Sequence, residues 1–268
     1  MKNFNIKTLL FIWSSLVLAS LLADLSLGRT YSLEYYPYRL LSLILVSIPL
    51  ILYTSNSSLS GLKLYLSVFS ILFVIGTFNI LVEAYIFNVT SRTETLKELL
   101  LGFTSAIPGS IAIVYFTPKI DTQQTIIQMK RPLLGWIWKV LLGNLLYFIF
   151  YLSAGITLNA VYPGLQEFYA DKLPPLELII QTNLFFRGFV FVGIALLMVR
   201  TVALSRRQTA ILIGATFSIL GGIAPLLSPN EFMPLGIRIA HGFEVGLSNL
   251  LYGMVLAFLL IPKHKLAE

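Results

Sequence analysis

The sequence predicts an all-α fold, a polytopic bundle of about eight membrane-spanning helices that makes up a single transmembrane domain over residues 1–268, with both termini in the cytoplasm. Three observations carry that prediction. Of the 268 residues, 57% are hydrophobic and only 12% are charged, and the mean hydropathy is +0.84, which leaves too little polar surface to cover a soluble globule. Apolar stretches long enough to cross a ~30 Å hydrocarbon layer recur along the whole chain. Lys and Arg gather at the ends of those stretches, more on one side than on the other.

The stretches fall at roughly 8–27, 39–55, 62–87, 96–117, 133–153, 177–199, 209–227 and 238–262. Each is near the ~20 residues that a span needs. The first follows Lys2 and Lys7, as a signal peptide would, but it has no convincing cleavage motif and runs straight into further spans, so it is read as a helix. The second is the shortest and carries Pro49, and the fourth carries Pro108-Gly109 near its middle; either is a candidate kink or break. The fifth carries Lys139 beside Trp136 and Trp138 near its inner end, the pattern of a lysine reaching to the headgroups.

The eighth stretch is the most unusual, because several costly polar side chains lie inside it. At 100° per residue Arg238, His241, Glu244, Ser248, Asn249 and Tyr252 fall within an arc of about 140°. Beside that arc run Gly242, Gly246 and Gly253, a small-residue strip that lets another helix approach closely. The remaining arc is Ile, Phe, Leu, Val and Met. The helix is expected to have a polar face, a packing face and a lipid face.

Orientation follows from the 19 Lys and Arg residues. With the N-terminus inside, the inner ends hold Lys2, Lys7, Lys63, Lys119, Lys130, Arg131, Arg200, Arg206, Arg207, Lys263 and Lys265, and the outer ends hold Arg29, Arg39, Arg92, Lys97, Lys172 and Arg238. Lys139 and Arg187 lie within spans. The excess on the inner side places both termini in the cytoplasm, and the short loops suggest a cytoplasmic (plasma) membrane of prokaryotic type. Of the 12 acidic residues only Asp121 and Glu268 fall on the inner side, so the outer face is acidic. That face carries two distinctive loops, Tyr31–Tyr38 and 154–175, whose tyrosines read first as headgroup anchors and second as a lid. The inner loop 118–132, with Gln123, Gln124 and Gln128, is too short to fold alone. No internal repeat or low-complexity tract stands out.

Composition also excludes several functions. The absence of Cys removes disulfides, thiolate metal sites and cysteine nucleophiles. His241 and His264 are the only histidines, and the second sits in a basic tail, so no bis-histidine haem forms within the membrane. The net charge of +7 is scattered over span ends and forms no patch with interleaved aromatics, which points to membrane topology and away from nucleic acid. Membrane lipids and a small-molecule or lipid-like ligand are the expected partners.

Within the spans, ionisable groups recur at one depth in the outer half. At ~1.5 Å per residue Asp24 and Glu83 lie roughly 5 Å below the outer ends of their helices, Glu244 about 9 Å below and Arg187 about 15 Å below. Helical spacing links Asn79 to Glu83 and Asn183 to Arg187 at i,i+4, and Arg238, His241 and Glu244 at steps of three. Charges in a span cost at least ~2.5–3.5 kcal/mol on insertion scales, so these groups should face one another or a wet cavity. The simplest arrangement pairs Arg187 with Glu83 or Glu244 and puts His241 between carboxylates. Asp24 is close enough to the interface to be merely solvated, and Asn144, Ser248 and Asn249 are expected to bridge helices.

Three functional readings and one structural reading fit Glu83, Arg187, His241, Glu244, Asn79, Asn183, Arg238 and Asn249. In a carrier or receptor, Glu83 and Glu244 exchange protons as a small or amphiphilic ligand binds, His241 relays the proton, and Arg187 is a counter-ion or anion clamp. In a metalloenzyme, which is the one reading that requires a cofactor, His241, Glu244 and Glu83 bind a divalent metal and leave a position open for water. In a metal-free enzyme acting on a lipid or peptide near the outer leaflet, a carboxylate is the base and Arg187 holds an anionic group. In an accessory subunit the ion pairs only fix helix register.

The run Thr182-Asn183-Leu184-Phe185-Phe186-Arg187-Gly188 resembles the first motif of the CAAX-type intramembrane proteases, which has two adjacent glutamates, three residues, then arginine. Here Thr182 and Asn183 stand at the glutamate positions, and Gly221 stands four residues after Phe217, where that family has histidine. The final His and Asn motif is not recovered at its spacing. The resemblance therefore lacks the family's catalytic residues and assigns no activity.

Overall fold

Apolar length and helix-start signals divide the chain into nine helices among the described residues of the computed structural model, which are 6–29, 32–120, 132–227 and 233–262. Lys2, Tyr31, Asp121, Gln123, Gln124, Gln128, Lys130, Arg131, Lys263, His264, Lys265 and Glu268 lie outside them. Eight helices are long and apolar enough to cross a membrane, and the chain is thus a multi-pass membrane protein. They are α1 (Ile6–Ser26), α2 (Tyr35–Ser55), α3 (Gly61–Ile86), α4 (Arg92–Phe116), α5 (Leu133–Val161), α7 (Leu176–Thr201), α8 (Arg206–Leu227) and α9 (Leu235–Leu260). The short α6 (Pro163–Tyr169) lies between α5 and α7.

Local chemistry sets several boundaries. Ser91 and Ser205 open α4 and α8 with capping boxes, in which the serine hydroxyl accepts from the third backbone N–H and the Glu94 or Gln208 side chain accepts from the serine N–H. Pro163 starts α6 at a position where its missing N–H costs nothing. Gly28 follows α1 with φ +65°, a left-handed closure that a residue with a Cβ resists.

Neither proline breaks its helix, since α2 runs through Pro49 and α4 through Pro108. Irregularity lies elsewhere, in three π-helical segments: Ile71–Phe78 within α3, Asn183–Arg187 within α7 and Ile219–Ile223 within α8. Each wider turn rotates the residues beyond it and opens the ladder locally.

α8 is the most enclosed span, with 56% of its apolar window buried against 17% for α5. Its closest neighbour is α9, and the approach is backbone to backbone: a Cβ on Gly253 would lie 2.8 Å from the Gly214 Cα, and one on Gly214 would lie 2.6 Å from the Leu250 carbonyl. Gly246 packs as tightly on Ile223, whereas Gly242 has only ordinary contact with Leu226. The core joins the helices around Tyr53, Phe191, Met198, Ile213, Phe217 and Tyr252. On the opposite side of α9, Ile239, Phe243, Leu247 and Leu251 are exposed as a lipid-facing stripe.

The two ends of the bundle differ. At the end holding the start of α1 and the close of α9, the α2–α3 and α7–α8 connections are stitched together. Ser58 donates its N–H to Thr201 at 2.7 Å, Ala203 donates to Asn56 at 2.8 Å, and Lys119 donates to the carbonyls of Ser57, at 2.8 Å, and Leu59. Partial burial pushes the Lys119 ammonium below the usual lysine range. The other end holds α6 and every described carboxylate.

Candidate functional site

Arg187 anchors the site. It ends the π segment of α7, is buried, and spends its guanidinium on three acceptors: Nη2 donates to Glu83 Oε2 at 2.6 Å, Nη1 to Asn183 Oδ1 at 3.0 Å, and Nε to Asn79 Oδ1 at 3.3 Å. The rings of Tyr147 and Tyr151 lie 5.8 and 5.4 Å from its Cζ. Of the two partners that sequence offered Arg187, Glu83 takes the place. Asn79 presents its acceptor because the π segment of α3 ends there, and Asn183 is held by its own donation to the Ile179 carbonyl at 2.8 Å.

A second pair lies on α9. His241 Nδ1 is 2.7 Å from Glu244 Oε2, with side chains 18% and 12% exposed. Against a carboxylate the imidazole Nδ1 donates. Glu83 and Glu244 line one small recess, so the Arg187 and His241 pairs face each other across it. His241 hydrogen-bonds Glu244 and lies near enough to Glu83 to feel its charge, but makes no hydrogen bond to it.

Above these pairs opens a cavity of about 500 Å³, lined from α3, α5, α6, α7, α8 and α9. Glu83, His241 and Glu244 are its ionisable lining apart from the hydroxyls of Tyr151 and Tyr169; the rest is mainly apolar, including Ile80, Phe87, Leu152, Ile156, Leu165, Pro225 and Leu226. Below, the recess of about 20 Å³ lies among Glu83, Arg187, Glu244, Ser248, Asn249, Tyr147 and Tyr252, which is room for one water molecule.

The other predicted residues divide. Asn249 reaches the recess but donates to α8, at 3.4 Å to Phe217 O and 3.2 Å to Gly221 O. Ser248 donates to Phe150 O at 3.3 Å and Asn144 to Leu184 O at 2.6 Å, so all three bridge helices. Arg238 does not join the site; it points toward the end of α8 and donates to Leu227 O at 3.5 Å. Asp24 is buried and ion-paired with Arg39, so its expected simple solvation does not hold. The set proposed for a metal is distributed otherwise, with Glu83 on Arg187 and His241 on Glu244, and no group of three His, Asp or Glu among the described residues is arranged to hold an ion.

Sequence reasoning missed Tyr147, Tyr151 and Phe87. Tyr147 and Tyr151 stand one helical turn apart inside a span, away from the interface where tyrosines usually sit, and that spacing was the available signal. In the 154–175 loop the aromatic rings make contacts within the protein. Tyr169 lines the cavity with its ring edge-to-face on Phe87 at 5.7 Å, while Tyr162 and Phe168 pack around Leu158, Leu165 and Ile237.

Asn183, Arg187 and Gly221, positions that carried the protease resemblance, all lie at this site. Comparison with protein-family models, with curated proteins and with solved structures finds no match for the chain.

Proposed function

We propose that this protein binds a small or amphiphilic ligand in the α3–α5–α9 cavity and moves it between that cavity and the membrane surface. Glu83 and Glu244 are its proton-titrating carboxylates, His241 relays protons to Glu244, and Arg187 is the counter-ion of Glu83. With the termini in the cytoplasm of a plasma-membrane topology, the cavity opens toward the outer leaflet.

The observation that carries this reading is a cavity of about 500 Å³, walled by apolar side chains and closing on two carboxylates. That volume suits a drug-sized or single-chain lipidic molecule, and mostly apolar walls with a few convergent polar groups are the usual make-up of a ligand site. Every Arg187 N–H donor with a partner here serves a protein acceptor, which supports the counter-ion role over anion capture.

Gly155 provides the test. It lies on the cavity wall, and a Cβ there meets nothing within 4 Å, so Gly155→Phe should fill the mouth without disturbing packing. Native mass spectrometry of wild-type protein should show a small bound amphiphile that the variant lacks. Identical spectra, with no adduct in either, would remove the basis for ligand binding.

The water-sized recess between Glu83 and Glu244 favours one other reading, an intramembrane enzyme in which a carboxylate activates water against a lipid or peptide. Elemental analysis of wild type beside His241→Ala tests its metal-dependent form. About one divalent metal per chain, lost in the variant, would favour the enzyme.

A further inference from the structure

Resting on the ligand-binding reading above, we propose that the ligand is a cationic amphiphile, a protonated amine or quaternary ammonium carried on an apolar tail. The charge on the cavity wall points there. Among the described residues no Lys or Arg lines the cavity, whereas Glu83 and Glu244 do. Arg187 lines the recess beneath, and its guanidinium donates to Glu83, Asn183 and Asn79.

The two pairs hold two carboxylates and one permanent cation. Arg187 cancels Glu83, whereas the partner of Glu244 is the His241 ring and no Lys or Arg. An anionic head group would meet two carboxylates on the wall of an apolar chamber. A cation would form charge-assisted hydrogen bonds with them, or simple ion contact for a quaternary centre.

The aromatic lining points the same way. Tyr151, Tyr169 and Phe87 present π faces or edges to the cavity, and ring faces attract ammonium groups. Among the described residues this half of the bundle holds nine carboxylates against Arg29, Arg39, Arg92, Lys97, Lys172, Arg187 and Arg238, a modest negative balance that favours cations at the mouth.

The test uses full-length protein in lipid nanodiscs and follows its thermal unfolding with octyltrimethylammonium, octyl glucoside or octyl sulfate, using Gly155→Phe to subtract effects of the probes on the bilayer. The expected result is saturable stabilisation by the cation at about ten-fold lower concentration than by the neutral probe, with none from the sulfate. Glu244→Gln should erase that preference. Tyr169→Leu, which leaves both carboxylates in place, should weaken only the cation, roughly three-fold.

Equal saturation by all three probes, absent from Gly155→Phe, would overturn the charge inference while leaving the amphiphile site standing. Preference for the sulfate would overturn it as well. A shift reproduced by sodium chloride alone would assign the carboxylates to an inorganic cation and remove the amphiphilic head group. No saturable shift above the Gly155→Phe background would overturn both the inference and the ligand-binding reading beneath it.

Discussion

Glu83 and Glu244 share a recess, yet their neighbours give them different work. Glu83 neutralises a buried guanidinium that has no other carboxylate within bonding distance among the described residues, so Glu83→Gln strands a positive charge in the apolar interior. The expected cost is on the order of 3 kcal/mol of stability. Glu244 faces the His241 imidazole and no guanidinium, and Glu244→Gln keeps a hydrogen-bonding amide beside that ring. Its expected cost is about 1 kcal/mol or less. Unfolding of both variants in one detergent checks the ranking. Equal losses would mean that both pairs serve packing alike, as in an accessory subunit.

The helices that build the site are those that depart from regular α geometry. The π segments of α3, α7 and α8 end at Asn79, contain Asn183 and Arg187, and contain Gly221, so all three converge on the polar cluster. α9 is regular, and it is held close to α8 by glycine. Gly253→Ala puts a Cβ 2.8 Å from the Gly214 Cα and should cost about 1–3 kcal/mol as the helices are forced apart. Gly155→Ala meets open space within a helix and should gain about 0.5–1 kcal/mol. Thermal melts of the two variants test whether packing, and not glycine content, governs these spans.

For the assembled bundle the main prediction is orientation. The chain has no Cys, so a single introduced thiol reports its side of the membrane cleanly. Leu173→Cys, exposed on the cavity wall, should react with an impermeant maleimide added outside intact cells, while Leu133→Cys at the opposite end should not. A reporter fused after Glu268 should read as cytoplasmic. The reverse pattern in both assays would turn the cavity toward the inner leaflet.

Eight spans, the division of α9 into polar, packing and lipid faces, and the nearness in depth of Glu83, Glu244 and Arg187 were all legible in the chain, although Asp24, read into the same zone, lies apart from them against Arg39. The reason is that a bilayer prices length and charge residue by residue: apolar runs near twenty residues and ionisable groups inside them are visible without knowing any contact. The pairing of Glu83 with Arg187, 104 residues apart, was not legible, nor were the separation of Arg238 from the site and the burial of Asp24 against Arg39. Pairing depends on how each helix is rotated about its axis. Here π turns and glycine contacts set that rotation, and neither leaves a periodic trace in the sequence. The cavity is further removed still, because it is the space left between six helices, and only their packing together defines where that space lies and which charges it meets.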